Sequence, residues 1–192
     1  RSFGPVTSWA RLIAASGMAA VIYGAEVPDE DVHAVLRHLR SDSEALGVDA
    51  ERLGLFATSA HVTVALSVLM RDTRVNCATL LYGYTLDMDG STTVADMGRQ
   101  YGFVNACAGK SVDDVPDTVP ILLVRAGRDQ FPGLNQALDK IIARALVRNL
   151  PVSLINHPTG AHAFDMDENT PMSRAIVQQV LRFLVVHLKA DE

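Results

Sequence analysis

Cysteine is scarce in this sequence. Cys77 and Cys107 are the only two among 192 residues, and neither has neighbours at the spacing of a metal site. Two cysteines do not form the disulfide framework of a small secreted domain, so we interpret both as reduced structural thiols. No pair of histidines has the spacing and the carboxylate neighbours of a zinc site, and we therefore predict no metal.

Basic charge and long apolar runs are also lacking. The 17 Lys and Arg residues are outnumbered by 22 Asp and Glu residues, which gives a formal net charge of −5, and no run of basic residues indicates a nucleic-acid partner. The apolar stretch at residues 12–23 is too short to span a membrane. Ser16 and Gly17 divide it into a helix-like and a strand-like half, which is unlike a signal peptide. We predict a cytoplasmic protein with no nucleic-acid and no membrane partner.

The apolar content is sufficient for one folded domain. Hydrophobic residues make up 48% of the chain and charged residues 20%, a balance typical of a globular chain. A domain of this length buries roughly 70% of the surface that its unfolded chain exposes. We therefore predict a single domain over residues 1–192.

Short apolar runs alternate with amphipathic segments almost to the C-terminus. The apolar runs predict strands, and the 3.6-residue periodicity predicts helices. The acidic residues 29–31 and Gly47 are typical of the beginning and the end of one helix. Alternating strands and helices predict an α/β fold, with a mostly parallel sheet covered by helices on both faces. The predicted strands are 18–23, 52–56, 76–82, 119–124 and 152–155, and the predicted helices are 6–16, 29–46, 60–70, 134–147 and 172–188.

Residues 83–117 interrupt this alternation. A connection of this length without regular structure is uncommon in a compact domain and is often functional. It leaves the carboxyl end of a predicted strand, where parallel sheets bind their ligands. Two interpretations stay open, a lid or pocket wall and a plain surface excursion, with a helix at 93–104 as part of either.

Three polar side chains follow three of the predicted strands. Ser59 lies between a strand and a helix, Asp129 follows a later strand, and His162 follows the last one. This order suits a serine nucleophile that a histidine base activates and an aspartate orients. Simpler roles exist, a helix N-cap for Ser59 and a turn residue for Asp129. His157 is the alternative base, although its position before a proline at a strand end favours a structural role.

The segments that contain these residues resemble the α/β-hydrolase superfamily, and within it the dienelactone-hydrolase and small-carboxylesterase branch. They are residues 52–69, the Ala-Gly-Arg-Asp segment 126–129 and the Gly-Ala-His-Ala-Phe segment 160–164. The resemblance implies hydrolysis of a carboxylic ester without a cofactor. It also implies that Ser59 is the nucleophile, Asp129 the acid and His162 the base.

The turn around Ser59 departs from the Gly-x-Ser-x-Gly pattern of that family. Ala57 and His61 take the places of the two glycines. Alanine is a small change, whereas His61 must either point away from the packed side or face the site and contribute to substrate binding. Because Ala60 follows the serine at the start of a helix, its N–H is the expected oxyanion donor.

The amino end departs from the family pattern as well. The family's second oxyanion donor lies in a loop after an earlier strand, whereas only residues 1–5 precede the first predicted helix. The end of that loop is one interpretation of residues 2–4. We expect N-terminal strands to be missing from this chain, so that the predicted strand at 18–23 has a neighbouring position that is unpaired or is filled by an upstream segment or another chain.

These residues, together with the resemblance, predict a serine hydrolase that cleaves a small carboxylic ester or a lactone through an acyl-enzyme intermediate. Tyr82 and Tyr84 are candidate substrate-binding residues because they follow the carboxyl end of a strand, and His61 is a third candidate. The alternatives are a non-catalytic α/β-hydrolase-fold binding protein, and an acyltransferase or peptidase with the same three residues. A homo-oligomer is one alternative for the assembly.

Overall fold

One parallel sheet lies at the centre of the protein. The computed structural model describes residues 4–72 and 74–189. Within these residues the four strands pair in chain order, and every neighbouring pair is parallel. The strands are β1 (Gly54–Thr58), β2 (Cys77–Leu81), β3 (Ile121–Ala126) and β4 (Val152–His157).

Helices connect these strands and cover the sheet. None of the helices in the described part of the chain is long and apolar enough to cross a membrane. Among the described residues, two 3₁₀ turns accompany the helices, at Ser59–His61 and Val112–Asp114. The helices are α1 (Gly4–Ala15), α2 (Pro28–Ser41), α3 (Ser43–Leu46), α4 (Val62–Leu69), α5 (Thr93–Tyr101), α6 (Leu134–Val147), α7 (Phe164–Asp167) and α8 (Pro171–Leu188).

The side chains of β3 alternate between the two faces of the sheet. Ile121 and Leu123 belong to the core that packs against α4 and α6, whereas Leu122 and Val124 belong to the core that packs against α1 and α8. A sheet that is buried on both faces needs apolar residues at successive strand positions. The prediction of a mostly parallel sheet with helices on both faces is confirmed.

Most other predicted elements occur within a few residues of their expected bounds. The bounds of α6 are those predicted. The predicted helix at 29–46 is divided at Asp42 into α2 and α3, and α3 ends at Leu46, before the left-handed Gly47, whose φ is 65°. The helix expected at 93–104 ends at Tyr101 because Gly102 adopts a left-handed conformation, with φ 71°.

The predicted strand at residues 18–23 is wrong. The segment has no regular secondary structure, and Val21, Ile22 and Tyr23 are 52%, 41% and 37% exposed. An apolar run becomes a strand where a neighbouring strand pairs with it, and the described sheet contains none beside this segment. The unpaired position expected next to it is therefore wrong too, and the free edges of the described sheet belong to β1 and β4. The expectation of further N-terminal strands stays a prediction.

The carboxyl ends of all four strands lie at one edge of the sheet. Ser59 follows β1 there, Tyr82 follows β2, and Gly127 follows β3. Residues 83–117, which include α5, leave the sheet at this same edge. Ligands bind at the carboxyl edge of a parallel sheet, so the residues that follow the strands at this edge define the candidate site.

Candidate active site

Ser59 occupies a strained turn between β1 and α4. Its φ is +52°, in the left-handed region that residues other than glycine rarely adopt. Such strain persists only where the surrounding structure enforces it, and it is concentrated at functional sites. The turn brings Ser59 Oγ to 2.8 Å from His162 Nε2.

Asp129 lies on the opposite side of the His162 ring. Its Oδ2 is 2.6 Å from His162 Nδ1, and the Asp129 side chain is fully buried while that of His162 is 11% exposed. An ionised carboxylate only accepts hydrogen bonds, so Nδ1 carries the proton and Nε2 accepts the hydrogen bond from Ser59. The other carboxylate oxygen, Oδ1, accepts the backbone N–H of Phe131 at 3.0 Å. The three residues expected from the sequence therefore form one continuous chain of hydrogen bonds.

Backbone hydrogen bonds tie the loop of Asp129 to the loop of His162. The N–H of Gly127 donates to the carbonyl of His157 at 2.8 Å, and the N–H of Arg128 donates to the carbonyl of Gly160 at 2.9 Å. A Cβ on Gly127 would overlap the backbone of the loop after β4, so glycine is required at this position. The separation of the acid and the base is thus fixed by the paired strands β3 and β4.

A glycine outside the serine turn gives that turn its space. Gly83 follows β2, and a Cβ there would overlap the side chain of Val62 and the carbonyl oxygen of Ser59. The close contact is therefore between the serine turn and the chain after β2. Within the turn itself, Ala57 is buried and His61 is exposed, and both fit without glycine at their positions. Sequence reasoning looked for glycine within the turn and missed Gly83, whose signal was its position directly after a buried strand.

Ala60 lies directly after Ser59 in the 3₁₀ turn that precedes α4. The first N–H groups of a helix have no acceptor within the helix, so this amide is suited to an external oxygen. Of the segment considered for the second donor, residues 1–3 lie outside the described residues, and Gly4 begins α1.

His157 is buried beneath the loop that carries His162. It is 2% exposed, its Nε2 lies 3.2 Å from Ser173 Oγ, and its ring packs 4.6 Å from the ring of Phe164. A Cβ on Gly160 would come within 2.6 Å of the imidazole. The imidazole of His157 thus contacts α8 and the packed interior.

Tyr82 packs against the ring of His162. Their centroids are 4.9 Å apart in an edge-to-face arrangement, and Tyr82 is 1% exposed. Burial, followed by the nearby carboxylate of Asp165, raises the pKa of Tyr82 far above its ordinary value, so the phenol is neutral. Asp165 Oδ2 in turn accepts the indole N–H of Trp9 at 2.6 Å, which connects α1 to this cluster.

Tyr84 is buried behind the loop of Asp129. It is 3% exposed, and its hydroxyl donates to the carbonyl of Pro132 at 2.7 Å. Burial, with smaller contributions from Tyr101 and Asp129, raises the pKa of Tyr84 to about 12. The hydroxyl of Tyr84 is therefore already engaged with the protein backbone.

Two aromatic residues that the sequence did not single out lie at the site. The ring centroid of Phe131 is 4.5 Å from that of His162, and the ring centroid of Tyr101 is 5.3 Å from that of Phe131. Phe131 comes two positions after Asp129, which was the available signal. Tyr101 is 28 residues before Asp129 in the chain, and only the folded arrangement of α5 brings it to this place.

The two cysteines are buried and unpaired. Burial raises the pKa of both thiols to about 12. The thiol of Cys107 also donates to the carbonyl of Thr63 at 3.0 Å. Within residues 4–72 and 74–189, no three His, Cys, Asp or Glu side chains are grouped closely enough to hold a metal ion.

The parallel sheet and the strained serine turn are features of the α/β-hydrolase fold, and comparison with solved structures shows that the protein has this fold. Carboxyl esterase 2 from the mycorrhizal fungus Tuber melanosporum is similar, with a TM-score of 0.72 and 17% identity over 98% of this chain and 75% of that one. A thermostable esterase from Pseudomonas putida gives a TM-score of 0.75 and 15% identity over 100% of this chain and 71% of that one.

A protein described as a dienelactone hydrolase from Klebsiella pneumoniae is also similar. Its TM-score is 0.58 and its identity 18%, over 83% of this chain and 62% of that one. The sequence matches no protein-family model, and no curated protein is significantly similar to it. The resemblance to the α/β-hydrolase superfamily is thereby confirmed at the level of the fold.

Proposed function

We propose that this protein is a serine hydrolase that cleaves a small carboxylic ester or a lactone. The observation that carries the proposal is the hydrogen-bond chain from Ser59 through His162 to Asp129, with links of 2.8 and 2.6 Å. The names of the similar solved proteins, two esterases and one dienelactone hydrolase, support an ester as the substrate class.

Acylation begins with the hydroxyl of Ser59. His162 Nε2 takes its proton as Oγ forms a bond to the carbonyl carbon, and the carbonyl oxygen becomes an oxyanion. The N–H of Ala60, together with the positive end of α4, stabilises that negative charge. His162 then passes the proton to the leaving oxygen, the C–O bond breaks, and the alcohol departs from an acyl-Ser59 ester.

Deacylation repeats these steps with water. His162 removes a proton from water as the water oxygen attacks the acyl carbon, and the proton then returns to Ser59 as the carboxylic acid leaves. Asp129 holds the Nδ1–H tautomer of His162 and stabilises the imidazolium during both steps. A lactone follows the same path, except that the hydroxyl freed by ring opening remains part of the acyl group, so deacylation releases a single hydroxy acid.

The segment 83–117 forms one wall of this site under the proposal. Its helix α5 carries Tyr101, and it buries Tyr84 against the loop of Asp129. His61, two residues after Ser59, is exposed. His61 is accordingly a candidate contact for the part of the substrate that extends out of the site.

Hydrolysis of p-nitrophenyl acetate by purified wild-type protein and by Ser59→Ala tests the proposal. We expect the variant to lose roughly 10⁴-fold or more of kcat, because residues of a triad act as a unit. His162→Ala should cause a comparable loss. His157→Gln alters a buried histidine that is not part of the hydrogen-bond chain from Ser59 to Asp129, and this variant should retain most of the activity.

Equal losses in His157→Gln and His162→Ala, with both variants folded, would show that the base has been assigned wrongly. Wild-type protein that binds esters without hydrolysing them would favour the non-catalytic binding protein. Product formation from an added alcohol in preference to water would identify an acyltransferase.

A further inference from the structure

A row of aromatic rings leads from His162 to the protein surface. The ring of Phe131 meets His162 edge to face at a centroid distance of 4.5 Å, and the ring of Tyr101 meets Phe131 edge to face at 5.3 Å. Phe131 is partly buried, whereas Tyr101 is 48% exposed. We call Phe131 and Tyr101 the aromatic wall.

The inner part of the aromatic wall is fixed to the catalytic acid. The backbone N–H of Phe131 donates to Asp129 Oδ1 at 3.0 Å, and the carbonyl of the next residue, Pro132, accepts the hydroxyl of Tyr84 at 2.7 Å. The position of the Phe131 ring is therefore set by the same loop that positions the carboxylate.

The outer part of the aromatic wall is held against this loop by α5. Gly133 lies so close to Thr93, the first residue of α5, that a Cβ on the glycine would overlap the threonine methyl group. Phe103, two residues after α5, stacks on Tyr84 with centroids 5.4 Å apart and planes 15° apart. These contacts hold α5, which carries Tyr101, against the loop that carries Phe131, and a surface on packed elements binds a ligand at a lower entropic cost than a mobile loop.

The place of the aromatic wall beside His162 indicates which part of an ester it contacts. His162 Nε2 must return its proton to the leaving oxygen, so that oxygen comes next to the imidazole. The alcohol group bonded to that oxygen then extends along the neighbouring surface. The acyl group, in contrast, is held through its carbonyl carbon by Ser59.

We infer that the aromatic wall is a binding site for an aryl group in the alcohol part of the ester. The inference rests on the proposed function and deepens it by naming a substrate class, arylalkyl esters. Aromatic rings prefer edge-to-face and offset contacts, which Phe131 and Tyr101 already adopt with each other and with His162. A flat ring on the substrate extends that row.

Matched esters test the inference. Benzyl acetate and cyclohexylmethyl acetate carry the same acyl group and alcohol groups of similar size, of which only the first is aromatic. We expect the wild-type kcat/KM for benzyl acetate to be higher by about threefold to tenfold, the range of an aromatic contact. Methyl phenylacetate and methyl cyclohexylacetate make the same comparison on the acyl side, where we expect no such preference.

Substitutions in the aromatic wall should change this ratio. Phe131→Leu removes the inner ring but keeps the backbone N–H that donates to Asp129, and Tyr101→Ala removes the exposed outer ring. Each variant should move the benzyl-to-cyclohexylmethyl ratio of kcat/KM toward one. Tyr101→Phe retains the ring and should retain the ratio. Tyr23→Ala, which removes an exposed tyrosine outside the wall, should leave both the ratio and the activity at wild-type values.

The results of these experiments distinguish a failure of the aryl-binding inference from a failure of the proposed ester hydrolysis. Wild-type protein without a benzyl preference, or a ratio that persists in both Phe131→Leu and Tyr101→Ala, would overturn the inference while ester hydrolysis stands. A preference confined to methyl phenylacetate would overturn it as well, because the aryl site would then belong to the acyl group. If none of the four esters is hydrolysed although p-nitrophenyl acetate is, the inference fails; if p-nitrophenyl acetate is not hydrolysed either, the proposed function itself fails.

Discussion

Gly83 and Ser59 meet where the chain after β2 passes closest to the serine turn. Because a Cβ at residue 83 would overlap both the Val62 side chain and the Ser59 carbonyl, Gly83→Ala must displace the turn. We expect a loss of about 1–3 kcal/mol in the free energy of unfolding, the usual cost of overpacking. Denaturant unfolding measures that loss, and p-nitrophenyl acetate hydrolysis should fall with it.

Gly24→Ala is the matched control for this substitution. Nothing lies within 4 Å of the position that a Cβ would occupy at residue 24, so stability and activity should stay at wild-type values. If Gly83→Ala were as stable and as active as the wild type, the space that we assign to this glycine would not be needed.

Burial raises the pKa of the Cys77 and Cys107 thiols from 9.0 to about 12. A raised pKa means that the folded protein holds these protons more firmly than the unfolded chain. The associated stability is present below pH 9 and is lost as the pH rises from 9 toward 12. Unfolding by urea across this range should show the decline, and a Cys77→Ala, Cys107→Ala variant should show less of it. An equal decline in both proteins would contradict this origin.

Single residues differ in how readily the sequence predicts them. Ser59, Asp129 and His162 each follow a strand, so their order along the chain is enough to propose that they meet. The positions of Gly83 after a strand and of Phe131 after Asp129 are weaker signals, and Tyr101 has none, because the roles of all three arise from contacts between segments that only the tertiary structure brings together.

At the scale of secondary-structure elements, an ion pair joins α2 to the turn after α4. Arg40 Nη1 lies 2.5 Å from Asp72 Oδ2, and their side chains are 15% and 13% exposed. Burial raises the pKa of Asp72, but hydrogen bonds from Arg40 and Arg74 outweigh it and hold the pKa below its ordinary value of 3.8. The stability that this pair contributes is present above pH 3.8 and is lost as the pH falls below it.

We expect Asp72→Asn to lower the free energy of unfolding by about 1–3 kcal/mol at neutral pH, because it leaves a largely buried guanidinium without its carboxylate. The more exposed pair of Arg52 and Asp49 is the control, and Asp49→Asn should have a smaller effect, because exposed ion pairs contribute little to stability. Urea unfolding of the two variants gives both values. Equal effects would mean that burial does not strengthen the first pair.

The elements also show where sequence patterns stop being informative. Amphipathic periodicity predicted both bounds of α6, since a helix contains its own hydrogen bonds. The apolar run at 18–23 was predicted as a strand, yet it is irregular and exposed, because a strand depends on a partner that its own sequence does not specify. The serine turn was located, but the sequence did not indicate the 3₁₀ turn Ser59–His61, which begins at the left-handed Ser59.

At the scale of the whole molecule, the fold and the site are two separate conclusions. The α/β-hydrolase fold is established by solved structures that share 15–18% identity with the chain. A fold of this kind hosts many activities, so ester hydrolysis rests on the side chains at the carboxyl edge of the sheet. Cytoplasmic location, the oligomeric state and the absence of a nucleic-acid partner stay predictions.

The nucleophilic character of Ser59 is tested most directly by a fluorophosphonate probe, which bonds covalently to an activated serine and releases fluoride. Intact-mass measurement followed by peptide mapping should find one adduct per chain, on Ser59. The adduct should be absent from Ser59→Ala and strongly reduced in His162→Ala, whereas Ser153→Ala, which changes an exposed serine of β4, should label like the wild type. No adduct on the folded wild-type protein, or an adduct on another residue that persists in Ser59→Ala, would contradict the mechanism.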